Sequence, residues 1–173
     1  MKWLFRAVLA AILISLGIWG WSVLFPSPEN VIRSRLAELA KTASFAPDEG
    51  TLARAYNAQK TSAFFATNVE INVNVPGYAA QTLSGRDEAL QAAMAARSRF
   101  KGLKVEFLDV NVTLGTDWQT AVANLTGKAT VPGEHDMFAR EFNFLLRKVD
   151  GKWLIYRVET VKTLSKLSRF PSG

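Results

Sequence analysis

The chain predicts an α+β domain in which three helices pack on a curved antiparallel sheet, preceded by one membrane-spanning helix. Three observations carry this expectation. An uncharged apolar run extends from Ala7 to Phe25; helical spacing of apolar residues dominates to about residue 100, broken by one hairpin; and four long stretches of strand-like pattern fill the rest, divided by glycine-containing turns.

The leading run is read first because it sets where the remainder resides. Lys2 and Arg6 precede it, Trp19 and Trp21 lie near its far end, and Pro26 stops it. At about 1.5 Å per residue it covers roughly 28 Å, close to the hydrocarbon thickness of a bilayer. A secretory signal shares the basic start, but its apolar stretch is shorter and ends at a small-x-small site. Gly20 and Ser22 flank the bulky Trp21, and Val23, Leu24 and Phe25 continue the run, so an uncleaved anchor is preferred over a removed signal. With its cations before the span and Glu29 as the first charge after it, the positive-inside bias leaves the amino terminus cytoplasmic. The expected layout is an anchor over 1–26, a domain over 27–164 on the periplasmic or extracellular side of the cytoplasmic membrane, and a flexible tail over 165–173. About 145 residues follow the span, enough for one domain with a core of its own.

Of 21 basic and 15 acidic residues, two basic ones precede the span, so the remainder carries +4. Its cations are spread among acids rather than gathered on one face, which argues against nucleic acid as a partner. The local group Arg97, Arg99, Lys101 and Lys104 falls at a predicted helix end, where cations complement the macrodipole, and reads as a solvated surface. There is no cysteine, which removes disulfides and thiol chemistry.

Ser27, Pro28 and Glu29 form a helix start, and Ile32, Leu36, Leu39 and Ala40 recur at helical spacing toward Ser44. Thr51 is expected to cap a second helix whose shared face holds Leu52, Tyr56, Ala63 and Phe64. Val69, Ile71, Val73 and Val75 alternate with polar residues as a strand, closed by the Pro76-Gly77 turn and followed by a short return strand, Ala79 to Leu83. Ser84 and Asp87 resemble a capping box for a third helix carrying Leu90, Ala93, Met94 and Arg97 on one face to Gly102. The expected strands Leu103 to Leu114, Gln119 to Val131, Met137 to Val149 and Lys152 to Thr163 form a meander. In the first of them the apolar parity changes at Phe107 and Leu108, which predicts a β-bulge there. Ala121, Ala123, Leu125, Gly127 and Ala129 give the second strand a small-residue face suited to close packing of a helix.

This order of elements resembles the nuclear transport factor 2-like superfamily, also called SnoaL-like, over about Pro28 to Leu164. The segments that carry the resemblance are Ser62-Ala63-Phe64-Phe65-Ala66-Thr67-Asn68-Val69, Leu83-Ser84-Gly85-Arg86-Asp87-Glu88-Ala89-Leu90 and Lys148-Val149-Asp150-Gly151-Lys152-Trp153-Leu154-Ile155. The resemblance implies a cystatin-like roll, a cone of helices cupped by the sheet. It does not select a reaction, because this fold hosts isomerases, cyclases, dehydratases and associative domains alike. Members similar to ketosteroid isomerase, a system that serves as a general example of tuned acids, place an aspartate base after the first strand. Here Asn72 and Asn74 occupy the comparable stretch, and amides cannot take that proton.

The remaining chemical candidates are few. His135 sits in a turn beside Glu134 and Asp136 and reads as solvated, with no spacing that recruits a metal. Asp109, Arg140, Arg157 and Glu159 are charged residues within apolar strands, and the parity of their neighbours directs Arg140, Arg157 and Glu159 toward the cone, although a surface ion pair of Arg157 is the preferred reading. Tyr56 and Tyr78 carry hydroxyls that suit either a ligand or a core. The favoured function is a non-catalytic, membrane-anchored domain that associates through its sheet, as a homodimer or with another envelope protein, or that takes a small apolar ligand lined by Tyr56, Phe64, Asp109, Arg140, Arg157 and Glu159. The alternative is a small-molecule isomerase or hydrolyase of the SnoaL-like type, with Asp109 as base and Tyr56 or Arg140 as electrophilic partner. No cofactor and no metal are expected. The enzyme reading requires Asp109 to face a closed apolar pocket.

Overall fold

The computed structural model describes residues 27–74, 81–133 and 137–161. The apolar run Ala7 to Phe25, the Pro76-Gly77 turn, Tyr78, His135 and the tail lie outside them. Among the described residues no helix is long and apolar enough to cross a membrane.

Helix α1 (Pro28–Ala43) starts as its sequence dictates: the Ser27 hydroxyl accepts from the Asn30 amide, and Ile32, Leu36, Leu39 and Ala40 are buried. Helix α2 (Thr51–Ser62) differs from expectation. Its N-cap is Gly50, not Thr51, with no side-chain cap, and its buried residues are Ala58, Thr61 and Ser62. Leu52 is 88% and Tyr56 67% exposed, so the expected apolar face points to solvent, and only Phe64, just past the helix, enters the core. Helix α2 instead meets its neighbours through small and polar residues, whose local hydrogen bonds fix it: the Thr61 hydroxyl donates to the carbonyls of Asn57 and Thr42.

Strands β1 (Phe65–Val73) and β2 (Gln81–Ser84) form the expected hairpin, with β1 starting four residues before Val69. Helix α3 (Arg86–Arg99) begins after Gly85, whose φ of 92° glycine adopts without strain. The acid that reaches back is Glu88, accepting from the Ser84 amide at 2.7 Å, rather than Asp87. The helix buries Ala89 and Arg97, leaving Met94 45% exposed.

Strands β3 (Lys104–Leu114), β4 (Thr120–Thr130), β5 (Met137–Val149) and β6 (Lys152–Thr160) are the predicted antiparallel meander. The complete sheet has the order β2-β1-β6-β5-β4-β3, and β1 joins β6 in parallel, so the sheet is mixed rather than wholly antiparallel. Its two edges are managed differently. Strand β2 has only four residues, whereas the start of β3 is covered by the end of α1, where Phe45 and Leu103 exchange backbone hydrogen bonds of 2.8 and 3.0 Å and the Val105 amide donates to the Ser44 hydroxyl.

Two irregularities bend the sheet. The β3 bulge lies between Leu108 and Asn111, one to two residues beyond the expected place, so Val105, Phe107, Val110, Val112 and Leu114 face the helices while Leu108 is 44% exposed. Asp109 within it has φ 52°, and the Val110 carbonyl accepts from the Arg33 guanidinium of α1. In β6 the register shifts at Tyr156: Ile155 pairs Leu146 and Val158 pairs Phe144. That extra residue reverses the side on which the rest of β6 points. The core lies on the concave side, where Ile32, Leu36 and Leu39 meet Phe64, Val112, Ala123, Leu125, Phe144, Leu146, Trp153, Ile155 and Val158.

The β3-β4 turn is held by Asp117, whose Oδ1 accepts from the Gln119 and Thr120 amides at 3.0 Å each and from the Thr120 hydroxyl at 2.8 Å. These bonds, the Gln119 amide foremost, hold the Asp117 carboxyl below the usual carboxylate range. A folded-state pKa below the unfolded one adds stability that is fully present above the unfolded value and lost as pH falls through the folded value. The stability advantage of the wild type over Asp117→Asn is therefore expected to be constant above about pH 5 and to shrink as pH falls below about 4. Unfolding curves of both proteins across acid pH check this; a difference independent of pH would contradict it.

Candidate functional site

Aromatic side chains line the concave side, where the ligand reading would place an apolar ligand. Phe144 makes edge-to-face contacts with Phe107 and Phe142, at 5.4 and 6.1 Å between ring centroids. Gly127 belongs to this packing, because a Cβ at that position would lie 2.7 Å from Cε2 of Phe142. The small-residue face of β4 thus accommodates, at Gly127, a ring from the neighbouring strand. Phe64 is 4% exposed, with the Arg35 guanidinium 4.8 Å from its ring centroid. Burial lowers the pKa of that guanidinium from its ordinary value.

The predicted site residues do not converge. Arg140 is half-buried and stands opposite Gly127, on the concave side as parity indicated. Tyr56 is on the exposed side of α2. Arg157 and Glu159 are turned outward, not toward the cone, because the register shift at Tyr156 puts Val158 inside in their place. Arg157 Nη2 lies 2.7 Å from Glu70 and its Nε 3.8 Å from Glu159, the surface pairing preferred from sequence. The hydrogen bond and charge of Glu70 raise the Arg157 pKa further above its ordinary value.

Asp109 is exposed and does not face a closed apolar pocket. It lines an open groove of about 510 Å³ with Asn124, Thr126, Glu141 and Asn143 among the surrounding residues. The register sets those four on the convex side, opposite the core. Two carboxylates, two amides and a hydroxyl there can accept and donate hydrogen bonds to a polar surface. Among the described residues no three metal-ligating side chains converge.

A second cluster was not anticipated. Arg97, read as part of a solvated basic group, is 2% exposed. Its Nη1 donates to both oxygens of Glu49 at 2.8 and 2.9 Å, its Nη2 donates to the Thr42 carbonyl at 2.5 Å, and its guanidinium lies 4.9 Å from the centroid of Phe45. Asn57 donates to the same carboxylate at 2.6 Å. This charge pair ties the end of α1, the following loop, α2 and α3 together. Nothing in the local sequence pattern marks it, since its partners are 48 residues apart.

Known structures place the fold. The chain is similar to a protein assigned as a scytalone dehydratase from Novosphingobium aromaticivorans, at 14% identity and TM-score 0.57 over 77% of this chain and 83% of that one. It is similar to a nuclear transport factor 2-like protein with a cystatin-like fold from the same organism, at 18% identity and TM-score 0.57 over 92% and 90%. It is also similar to the yeast UBP3-associated protein BRE5, at 12% identity and TM-score 0.59 over 80% and 99%. At these identities the likeness is one of fold. No curated protein matches the sequence. The SnoaL-like domain model matches residues 50–158. With more than half its length matched, the chain belongs to the SnoaL-like domain family.

Proposed function

We propose that this is a non-catalytic SnoaL-like domain, held at the extracytoplasmic face of a membrane through Ala7 to Phe25, that works by association through the convex face of its sheet. The observation that carries this reading is the division of the two sheet faces. Phe107, Phe142 and Phe144 occupy the concave side, while Asp109 and Glu141 line an open groove on the other. An acid so placed is open to solvent, with no closed apolar pocket around it. The family includes both enzymes and associative domains, so the architecture favours neither, and the argument rests on the site.

One observation favours the enzyme alternative: Asp109 holds a left-handed backbone conformation, φ 52°, at the groove. Under that reading the substrate would lie in the convex groove, with neither Tyr56 nor Arg140 beside it. Asp109→Asn is expected to leave folding unchanged; loss of turnover of a candidate substrate by the folded variant would transfer the preference to the enzyme. Anchoring has its own test. Protease added to intact spheroplasts is expected to digest the domain, and protection of it, or a mature chain starting beyond Phe25, would overturn the tethered layout.

A further inference from the structure

Helix α1 and strand β3 run antiparallel along each other, which fixes the end of the domain that faces the apolar run. The Arg33 guanidinium donates to the Val110 carbonyl, Ser44 bonds the Val105 backbone farther along, and Phe45 pairs with Leu103 beyond that. The start of α1 therefore lies at the end of the sheet where β3 turns into β4. The β5-β6 turn shares this end, since the Gly115 amide donates to the Thr120 carbonyl and the Lys148 amide to the Gln119 carbonyl, both at 2.8 Å. At about 1.5 Å per helical residue Pro28 stands roughly 7.5 Å beyond Arg33, and at about 3.3 Å per strand residue Leu114 stands roughly 13 Å beyond Val110. The β3-β4 turn thus projects past the helix start. Phe25, which ends the apolar run, is two residues before Ser27 and hence within about 7 Å of it, so the run ends at a height close to the tip of that turn.

Trp118 occupies the tip. It is 62% exposed and has φ 56°, a conformation that suits glycine or asparagine better than a bulky residue. The turn is fixed, because the Trp118 amide donates to the Gly115 carbonyl at 3.1 Å and Asp117 holds the amides of Gln119 and Thr120. Neither packing nor turn chemistry accounts for tryptophan at this position. Val149 is exposed on the neighbouring turn. Charges at this end nearly balance: Arg147, Lys148 and Lys152 stand with Glu29, Asp117 and Asp150, while Arg33 is turned to Val110 and Lys60 is paired with Glu38. Any attraction to a surface here rests on the indole rather than on net charge.

We propose that the domain rests end-on upon the bilayer, with the indole of Trp118 inserted among the lipid headgroups of the leaflet from which the anchor emerges. This rests on the tethered layout proposed above. Tryptophan favours that depth, where its ring meets acyl chains and its N–H meets water or headgroup oxygens. The tether keeps the turn beside the headgroups, so a single aromatic contact too weak to recruit a free protein sets the pose of an anchored one. In that pose the convex groove opens sideways, clear of the membrane.

The absence of cysteine lets one spin label report on one position. Full-length Thr116→Cys, Lys152→Cys and Lys101→Cys are labelled in phosphatidylcholine nanodiscs, and label relaxation is measured with a water-soluble nickel chelate and with oxygen, which concentrates in lipid. Positions 116 and 152 are expected to be several-fold less accessible to the chelate than 101, which lies at the opposite end of the domain between α3 and β3. Trp118→Gly in the Thr116→Cys background is expected to raise chelate accessibility to the level of 101. Its melting temperature is expected not to fall, since glycine adopts the left-handed backbone without strain. Equal accessibility at 116, 152 and 101 overturns the docked pose, and so does protection at 116 that survives Trp118→Gly. Retention in the disc separates the two failures: a chain that elutes with the discs keeps the tether whatever the labels report, whereas one that does not overturns the tether and the pose together.

Discussion

Arg97→Ala is expected to lower the unfolding free energy by about 3–5 kcal/mol, the usual result of leaving a buried charge without its partner. The side chains of Arg97 and Glu49 are 2% and 10% exposed, and the guanidinium also serves the Thr42 carbonyl, so truncation strands a carboxylate and a backbone oxygen together. Glu49→Ala removes the other half and is expected to cost a similar amount. Replacing both, as Glu49→Leu with Arg97→Met, removes the charges without stranding either and is expected to recover much of the loss. Thermal unfolding of the three variants checks the ordering. A loss below about 1 kcal/mol for Arg97→Ala would mean that the pair behaves as a surface contact.

Phe144→Ala is expected to cost about 3–5 kcal/mol, in the range for a buried aromatic reduced to a methyl group. Phe144 is 6% exposed and its ring bridges Phe107 and Phe142, so its removal opens space between strands that cannot close without moving the sheet. That gives the variant a second use. Benzene or another small apolar probe is expected to raise the melting temperature of Phe144→Ala and not of the wild type, since a dry cavity of this kind takes apolar ligands. Equal stabilisation of the wild type would show that the concave side already holds room for a ligand, and would favour ligand capture over association.

Much of the architecture is legible in the sequence because it rests on local periodicity. The α1 stripe of Ile32, Leu36, Leu39 and Ala40, the Ser27 cap, the hairpin and the meander all follow from spacing within a dozen residues. The misses share the opposite property. Leu52 and Tyr56 have the right spacing for a buried stripe, but small and polar residues of α2 win the contact with its neighbours. The β3 bulge is visible as a change of parity, yet its place depends on which residue adopts the left-handed conformation, and Asp109 tolerates it better than the β-branched Val110 beside it. The shift at Tyr156 has no such signal, so strand parity alone points Arg157 and Glu159 inward, whereas the surface ion pair preferred for Arg157 is what forms. The pairing of Arg97 with Glu49 arises from a contact between segments distant in sequence.

The parallel pairing of β1 with β6 carries a consequence for how the molecule is made. A polypeptide emerging amino terminus first offers β1 early, but its neighbour arrives only when residues 155 to 159 have left the ribosome and any export channel. Until then one flank of the first hairpin stays unzipped, with backbone amides and carbonyls open to any passing strand. Maturation is therefore expected to be slow and cooperative, completed in a single late stitching event, and the half-made chain is the form most in need of a chaperone.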